Sequence, residues 1–125
     1  MKILSIAFAA LIFTLGLVSF SASAQDANLK TVAALYQGKA ALAGKTISAQ
    51  GKVVKVNNDI MGRNWLHLQD GTGAANSNDL VVTSKQTAAV GDQVTITGVV
   101  AVNRDFGSGY AYALLIEEAS VVIKK

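Results

Sequence analysis

Alternation from Arg63 to Gln69 commits that segment to a strand with two unlike faces. Leu66 and Leu68 fall on one side; Arg63, Trp65, His67 and Gln69 fall on the other. Asp70-Gly71-Thr72-Gly73 closes the strand with residues that favour turns. The segment holds the only tryptophan and the only histidine of the chain, and Met61 stands just before it. The leucine face belongs to a core. The other face, basic, aromatic and imidazole-bearing, is either a docking surface or a set of rim residues.

The same period of two governs the chain from Lys45 onward. Thr46 to Val56 reads as a long strand, and Gly51 inside it predicts a bulge or a sharp bend. Asn57-Asn58-Asp59 reads as a turn. Asp79 to Thr83 reads as a short third strand, with Ser84 to Val90 as a connector. A fourth strand starts at Gly91-Asp92 and places Val94, Ile96, Gly98, Val100 and Val102 on one face. Asn103 to Gly109 is a polar loop, and Tyr110 to Glu118 is a fifth strand that Val121 to Ile123 can extend. Five strands, two of them long with internal glycines, predict an all-β chain forming a small antiparallel barrel. Leu66 and Leu68 should face Val94, Ile96, Val100 and Val102 in its core.

Before the strands, Asp26 to about Gln37 predicts a short helix capped by Asp26, with Leu29, Val32, Ala33 and Tyr36 along one stripe. Gly38 weakens any continuation and Gly44 ends the segment. The first residues have a different character. A basic start at Lys2, an apolar run from Ile3 to Phe20 and the small-x-small ending Ala22-Ser23-Ala24 predict an export signal cleaved before Gln25. No cysteine follows that ending, so a lipid-anchored form is not expected. The expected organisation is a signal peptide over 1–24, a helical segment over 25–44 and a barrel over 45–125, in a protein of the periplasm or the secreted fraction. The chain has no cysteine at all, which excludes thiol and disulfide chemistry. Without Lys2, ten basic side chains face eight acidic ones. That balance is far from the strong basic footprint of a dedicated nucleic-acid binder.

Three stretches together resemble the oligonucleotide/oligosaccharide-binding (OB) fold. They are Gly51-Lys52-Val53-Val54-Lys55-Val56, Trp65 to Gly73, and Gly91-Asp92-Gln93-Val94-Thr95-Ile96-Thr97-Gly98. A narrower likeness lies in Ile60-Met61-Gly62-Arg63-Asn64-Trp65 and Arg104-Asp105-Phe106-Gly107-Ser108-Gly109-Tyr110. These segments resemble small exported OB-fold proteins of the NrfJ-like group, some encoded beside multihaem cytochrome nitrite-reductase systems and often labelled nucleic acid-binding. The resemblance implies a five-stranded barrel. It also implies a binding face across strands two and three, bordered by the loops between strands one and two and between strands four and five.

Mapped onto this sequence, that face comprises Arg63, Trp65, His67 and Gln69, joined by Arg104 and Phe106 of the second loop and by Tyr110 and Tyr112 after it. Aromatics interleaved with arginines form a stacking platform for bases or sugars. The alternative is that Trp65 and Phe106 close the mouth of the barrel or pack under the helix. Met61 and His67 supply soft donors suited to Cu(I), so a metal or redox-system accessory is a second reading. Catalysis has little support, and no cofactor is implied. Glu117 and Glu118 are adjacent, so on a regular strand they point to opposite faces. Asp70, Asp92 and Asp105 sit at turn signals and should bond local backbone. The expected function is therefore a non-enzymatic exported binding or accessory protein. Its partner would be a periplasmic protein, peptide or glycan, with nucleic acid as the alternative that the fold suggests.

Overall fold

The computed structural model describes residues 28–124. The signal-peptide segment and Asp26 lie outside the described residues. Among those described, six strands and one helix follow in the order β1 (Leu29–Lys30), α1 (Val32–Leu42), β2 (Thr46–Ile60), β3 (Arg63–Gln69), β4 (Leu80–Ser84), β5 (Gln93–Asp105) and β6 (Ala111–Ile123). The chain is thus mostly β. No described helix is long and apolar enough to cross a membrane.

The strands pair in the order β1-β2-β3-β4-β6-β5, and β5 pairs again with β2. Five strands therefore form a closed ring of ladders, with β1 added in parallel at Ser48 and Ala49. β2 serves two neighbours in succession. Thr46–Lys52 pairs with β5, and Lys52–Ile60 pairs with β3. Gly51 stands at this handover, where a Cβ would come within 2.9 Å of the Gln69 carbonyl oxygen. The glycine is thus required by a close approach of backbone to backbone. The adjacent bulge, predicted at Gly51, falls between Val53 and Lys55.

The loop read from Asn103 begins only after Asp105, because Arg104 and Asp105 pair with Tyr112 and Ala111. Two further boundaries need correction. β2 does not stop at Asn57-Asn58-Asp59 but runs to Ile60. The reversal is made by Met61 and Gly62, with φ of 54° and 76° between the paired residues Ile60 and Arg63. Positive φ at both central residues is what a two-residue hairpin turn requires. Asp59, also left-handed at φ 59°, sits in a register shift, so the turn-favouring residues form a bulge. Second, the helix starts at Val32 with Thr31 as its cap and continues through Gly38 to Leu42. Leu29, assigned to the helix from sequence, lies in β1. The fifth predicted strand is continuous to Ile123, with Glu118 left-handed at φ 52° opposite Gly98.

The interior of the ring holds Leu66, Leu68, Val94, Ile96 and Val100, as the alternation predicts, together with Ile47, Val53, Leu80, Val82, Leu114 and Ile116. The helix adds Val32 and Leu35 to the same core. It is docked through its N-terminus. The Asp70 carboxylate accepts from Val32 N–H at 2.9 Å, the Thr72 hydroxyl accepts from Ala33 N–H at 2.9 Å, and Thr31 accepts from Ala34 N–H at 3.1 Å. The Asp-Gly-Thr-Gly turn thus caps an element nearly forty residues earlier, satisfying donors that would otherwise be orphaned.

Burial acts to raise the Asp70 pKa. The bonds from the Thr72 hydroxyl and from the Val32 and Thr72 N–H groups outweigh it and hold the carboxyl below its usual range. A depressed folded pKa contributes stability above the unfolded value of about 3.9, lost as pH falls through the folded value. Asp70→Ala is expected to cost about 1–2 kcal/mol at pH 7 and to flatten the decline in stability below about pH 4. Urea titrations of both forms at pH 7 and at pH 3 check this; an equal loss at both pH values would contradict it.

Candidate functional site on the outer face of β3

The side of β3 turned away from the core carries a second, smaller apolar cluster. Trp65, Val81 and Leu115 are buried there, against Ile60, Ala101, Phe106 and Tyr112. Trp65 is only 3% exposed. Its indole N–H donates to the Ile60 carbonyl at 2.9 Å, which ties the ring to the end of β2. Tyr112 stacks on it at 5.4 Å between centroids, Phe106 meets it edge-on at 5.4 Å, and Tyr110 leans over it at 6.3 Å. These separations suit aromatic pairs. Trp65 is therefore the floor of the face rather than an exposed stacking surface.

The β5–β6 loop brings the cover. Gly107 N–H donates to Asp105 and Phe106 N–H donates to the Tyr110 carbonyl, so the loop is tied to itself. Two guanidinium groups lie over the Phe106 ring, Arg63 at 5.3 Å and Arg104 at 4.9 Å from its centre. Glu117 of β6 joins both arginines. It bonds Arg104 directly and stands 4.0 Å from Arg63. The two cations thus share one carboxylate, and the positive field of the face is partly neutralised. Burial first, and the neighbouring Tyr110 second, push the Tyr112 phenol above its ordinary value, so it stays a neutral hydroxyl.

His67 stands further along the same face. Its Nδ1 lies 2.6 Å from the Asp79 carboxylate, whose other oxygen accepts from the Gln69 amide at 3.4 Å. Tyr36 of the helix donates to the Asp79 carbonyl at 2.6 Å. A cleft of about 140 Å³ opens between Asn57, Ile60, Trp65, His67, Tyr110 and Tyr112. A larger depression of about 610 Å³ lies beyond the Arg63–Glu117 pair, between Gly62, Lys85 and Ser120.

The face thus brings together all eight residues singled out from the sequence. Arg63, Trp65, Phe106, Tyr110, Tyr112 and Arg104 make one contact network; His67 and Gln69 join it through Asp79 and the cleft. The proposed metal pair is not brought together. Met61 is 44% exposed at the hairpin tip. From Arg63, the first residue after that turn, four strand steps or about 13 Å lead to His67. His67 Nδ1 is meanwhile occupied by Asp79. Among the described residues, no group of three or more His, Cys, Asp or Glu side chains could hold a metal ion.

Glu117 and Glu118 also depart from expectation. Both line the larger depression, because the left-handed residue Glu118 breaks the alternation of β6. Asp92 and Asp105 do bond local backbone, at Ala89 and Gly107. Asn57 and Ile60 belong to the stretch 57–62 that the OB resemblance sets beside the face, and both line the cleft. Asp79 and Glu117 are site residues that sequence reasoning missed. Asp79 was legible only as the first residue of a short strand, which in fact begins at Leu80, and Glu117 only as one of two adjacent acids.

No family model and no curated protein matches this sequence. Solved structures do share its fold. OBody AM3L09 and OBody AM3L15, each bound to hen egg-white lysozyme, match at 15% identity with TM-scores of 0.50. They cover 66% and 68% of this chain, and 84% and 85% of their own. A structure assigned as an aspartyl-tRNA synthetase from Leishmania major Friedlin matches at 13% identity with a TM-score of 0.51. That match covers 78% of this chain but only 21% of the other, so this chain spans about a fifth of it. What is shared is an OB-fold-like architecture.

Proposed function

We propose that the chain is an exported, non-catalytic binding protein built on a five-stranded OB barrel, and that it receives a partner on the outer face of β3 beneath the β5–β6 loop. The observation that carries this reading is the second aromatic cluster. Trp65 is packed as a structural floor, but the Tyr110 and Tyr112 rings above it do more than cover it. Here they wall a cleft, and Tyr110 remains 39% exposed beside it. Aromatic anchors with a flanking arginine are the composition of binding hot spots.

A protein or peptide partner fits the electrostatics better than a nucleic acid does. Phosphate recognition relies on unpaired cations, whereas Arg63 and Arg104 share Glu117. The binding of the OBodies to lysozyme accords with a protein partner for this fold. The export signal read at 1–24 would place that partner outside the cytoplasm.

The test uses the mature chain immobilised against an extract of exported proteins. The partner it captures should bind Tyr110→Ala at least about fivefold more weakly, since truncating an anchor costs about 1 kcal/mol or more. Binding should fall little between low and high salt. Equal retention by both forms would remove the face from consideration, and a steep salt dependence would favour nucleic acid.

A further inference from the structure

We propose that the aromatic cleft selects a tyrosine side chain of a protein or peptide partner, read through the Nε2 lone pair of His67 with Asp79 as the positioning residue. The inference rests on the binding face proposed above and adds the chemistry of what enters it.

Asp79 determines the hydrogen-bonding character of the imidazole. A carboxylate only accepts, so at 2.6 Å the proton between Asp79 and His67 belongs to Nδ1. In the neutral ring, Nε2 is then a lone-pair acceptor. Nε2 has no hydrogen-bond partner among the described residues, although the ring lines the cleft. Asp79 is itself held in place. Gln69 donates to its second carboxylate oxygen, Tyr36 donates to its carbonyl, and β4 begins at the next residue.

The remaining walls decide the shape. Tyr110 and Tyr112 offer aromatic surface above the buried Trp65 floor, Ile60 adds an apolar edge and Asn57 a polar one. A space of about 140 Å³ is near the roughly 150 Å³ that accommodates a benzene-sized ring. A single flat ring carrying one hydroxyl donor therefore meets both the walls and the free lone pair. Phenylalanine would fill the same volume and leave Nε2 unpaired, which is the kind of mismatch that a buried polar group penalises. Because Glu117 shares the charge of both arginines, a phosphate attached to the ring gains little beside it.

The experiment titrates the folded protein with N-acetyltyrosinamide, N-acetylphenylalaninamide and cytidine at about pH 8.5, following the Trp65 indole N–H and the His67 ring nitrogens by NMR. The tyrosine amide is expected to shift the Trp65 signal and to bind roughly fivefold more tightly than the phenylalanine amide, the worth of about one hydrogen bond. The His67 spectrum should place the proton on Nδ1. In His67→Phe the preference should fall to about one. In Asp79→Ala it should also fall, with the phenylalanine amide bound as before.

Equal binding of the two amides to the wild type overturns the role of His67 while leaving the cleft as a binding site. So does a His67 ring protonated on Nε2. Cytidine shifting the cleft signals when neither amide does so overturns the protein partner. No response to any of the three probes overturns both this inference and the site it rests on.

Discussion

Trp65→Ala is expected to destabilise the protein by about 3–5 kcal/mol, the range for removing a buried large aromatic side chain. The residue stands on the outside of the ring, where a substitution would ordinarily cost little. Three features raise the cost. The indole is 3% exposed, it stacks against Tyr112 and meets Phe106 edge-on, and its N–H bond to Ile60 would leave that carbonyl without its donor. The β5–β6 loop should loosen as well, since Phe106 would lose its floor. Denaturant unfolding followed by far-UV circular dichroism measures the effect, because the fluorophore is gone. A loss below about 1 kcal/mol would show that the outer cluster adds nothing to the fold. This is also why Tyr110, and not Trp65, is the residue to truncate when binding is tested.

The second large effect lies on the opposite face of the same strand. Leu68 is fully buried, and its Cβ lies close against Gly51 where β2 passes from one neighbour to the other. Leu68→Ala should cost about 2–5 kcal/mol through lost burial and a residual cavity. Gly51 is held by the Gln69 backbone, so this region has little freedom to collapse into the space. The unfolding midpoint should move with an unchanged slope against denaturant, as for a change in stability alone. An effect below about 0.5 kcal/mol would mean that Leu68 does not face the core. Large costs at both positions would establish β3 as a strand buried on both sides, whereas only one side reads as apolar in the sequence.

The outcome bears on how the proposed binding face would work. An aromatic floor locked by packing and one hydrogen bond gives a rigid base for the exposed groups above it, which lowers the entropic cost of binding. Arg63 and Arg104 are held against Phe106 and Glu117 in the same way. The hydroxyl of Tyr36 links the helix to Asp79, and Asp79 links to the cleft. The Asp-Gly-Thr-Gly turn anchors the N-terminus of that helix, one turn before Tyr36. The element that precedes the ring is thereby part of the support of the face.

The sequence by itself determined the position and phase of β3, the inward face of β5, the end of the helical segment at Gly44 and the eight residues that gather on the outer face. The strand phases, the helix end and the β3 side of the face follow from alternation and turn chemistry, which act over a few residues and are written locally. Arg104, Phe106, Tyr110 and Tyr112 were added to the face only by the resemblance to the OB fold. The sequence did not determine where β2 reverses. Asn, Asp and Gly all tolerate left-handed backbone, and which of them turns the chain depends on pairing with β3. The depth of Trp65, the sharing of Glu117 by two arginines and the grip of Asp79 on His67 were decided only by tertiary structure. Each joins residues from different parts of the fold, some more than forty positions apart in sequence. Closing the ring places β6 beside β4 and carries the β5–β6 loop over β3. Burial depends on what covers a side chain, and the cover here comes from the far end of the chain.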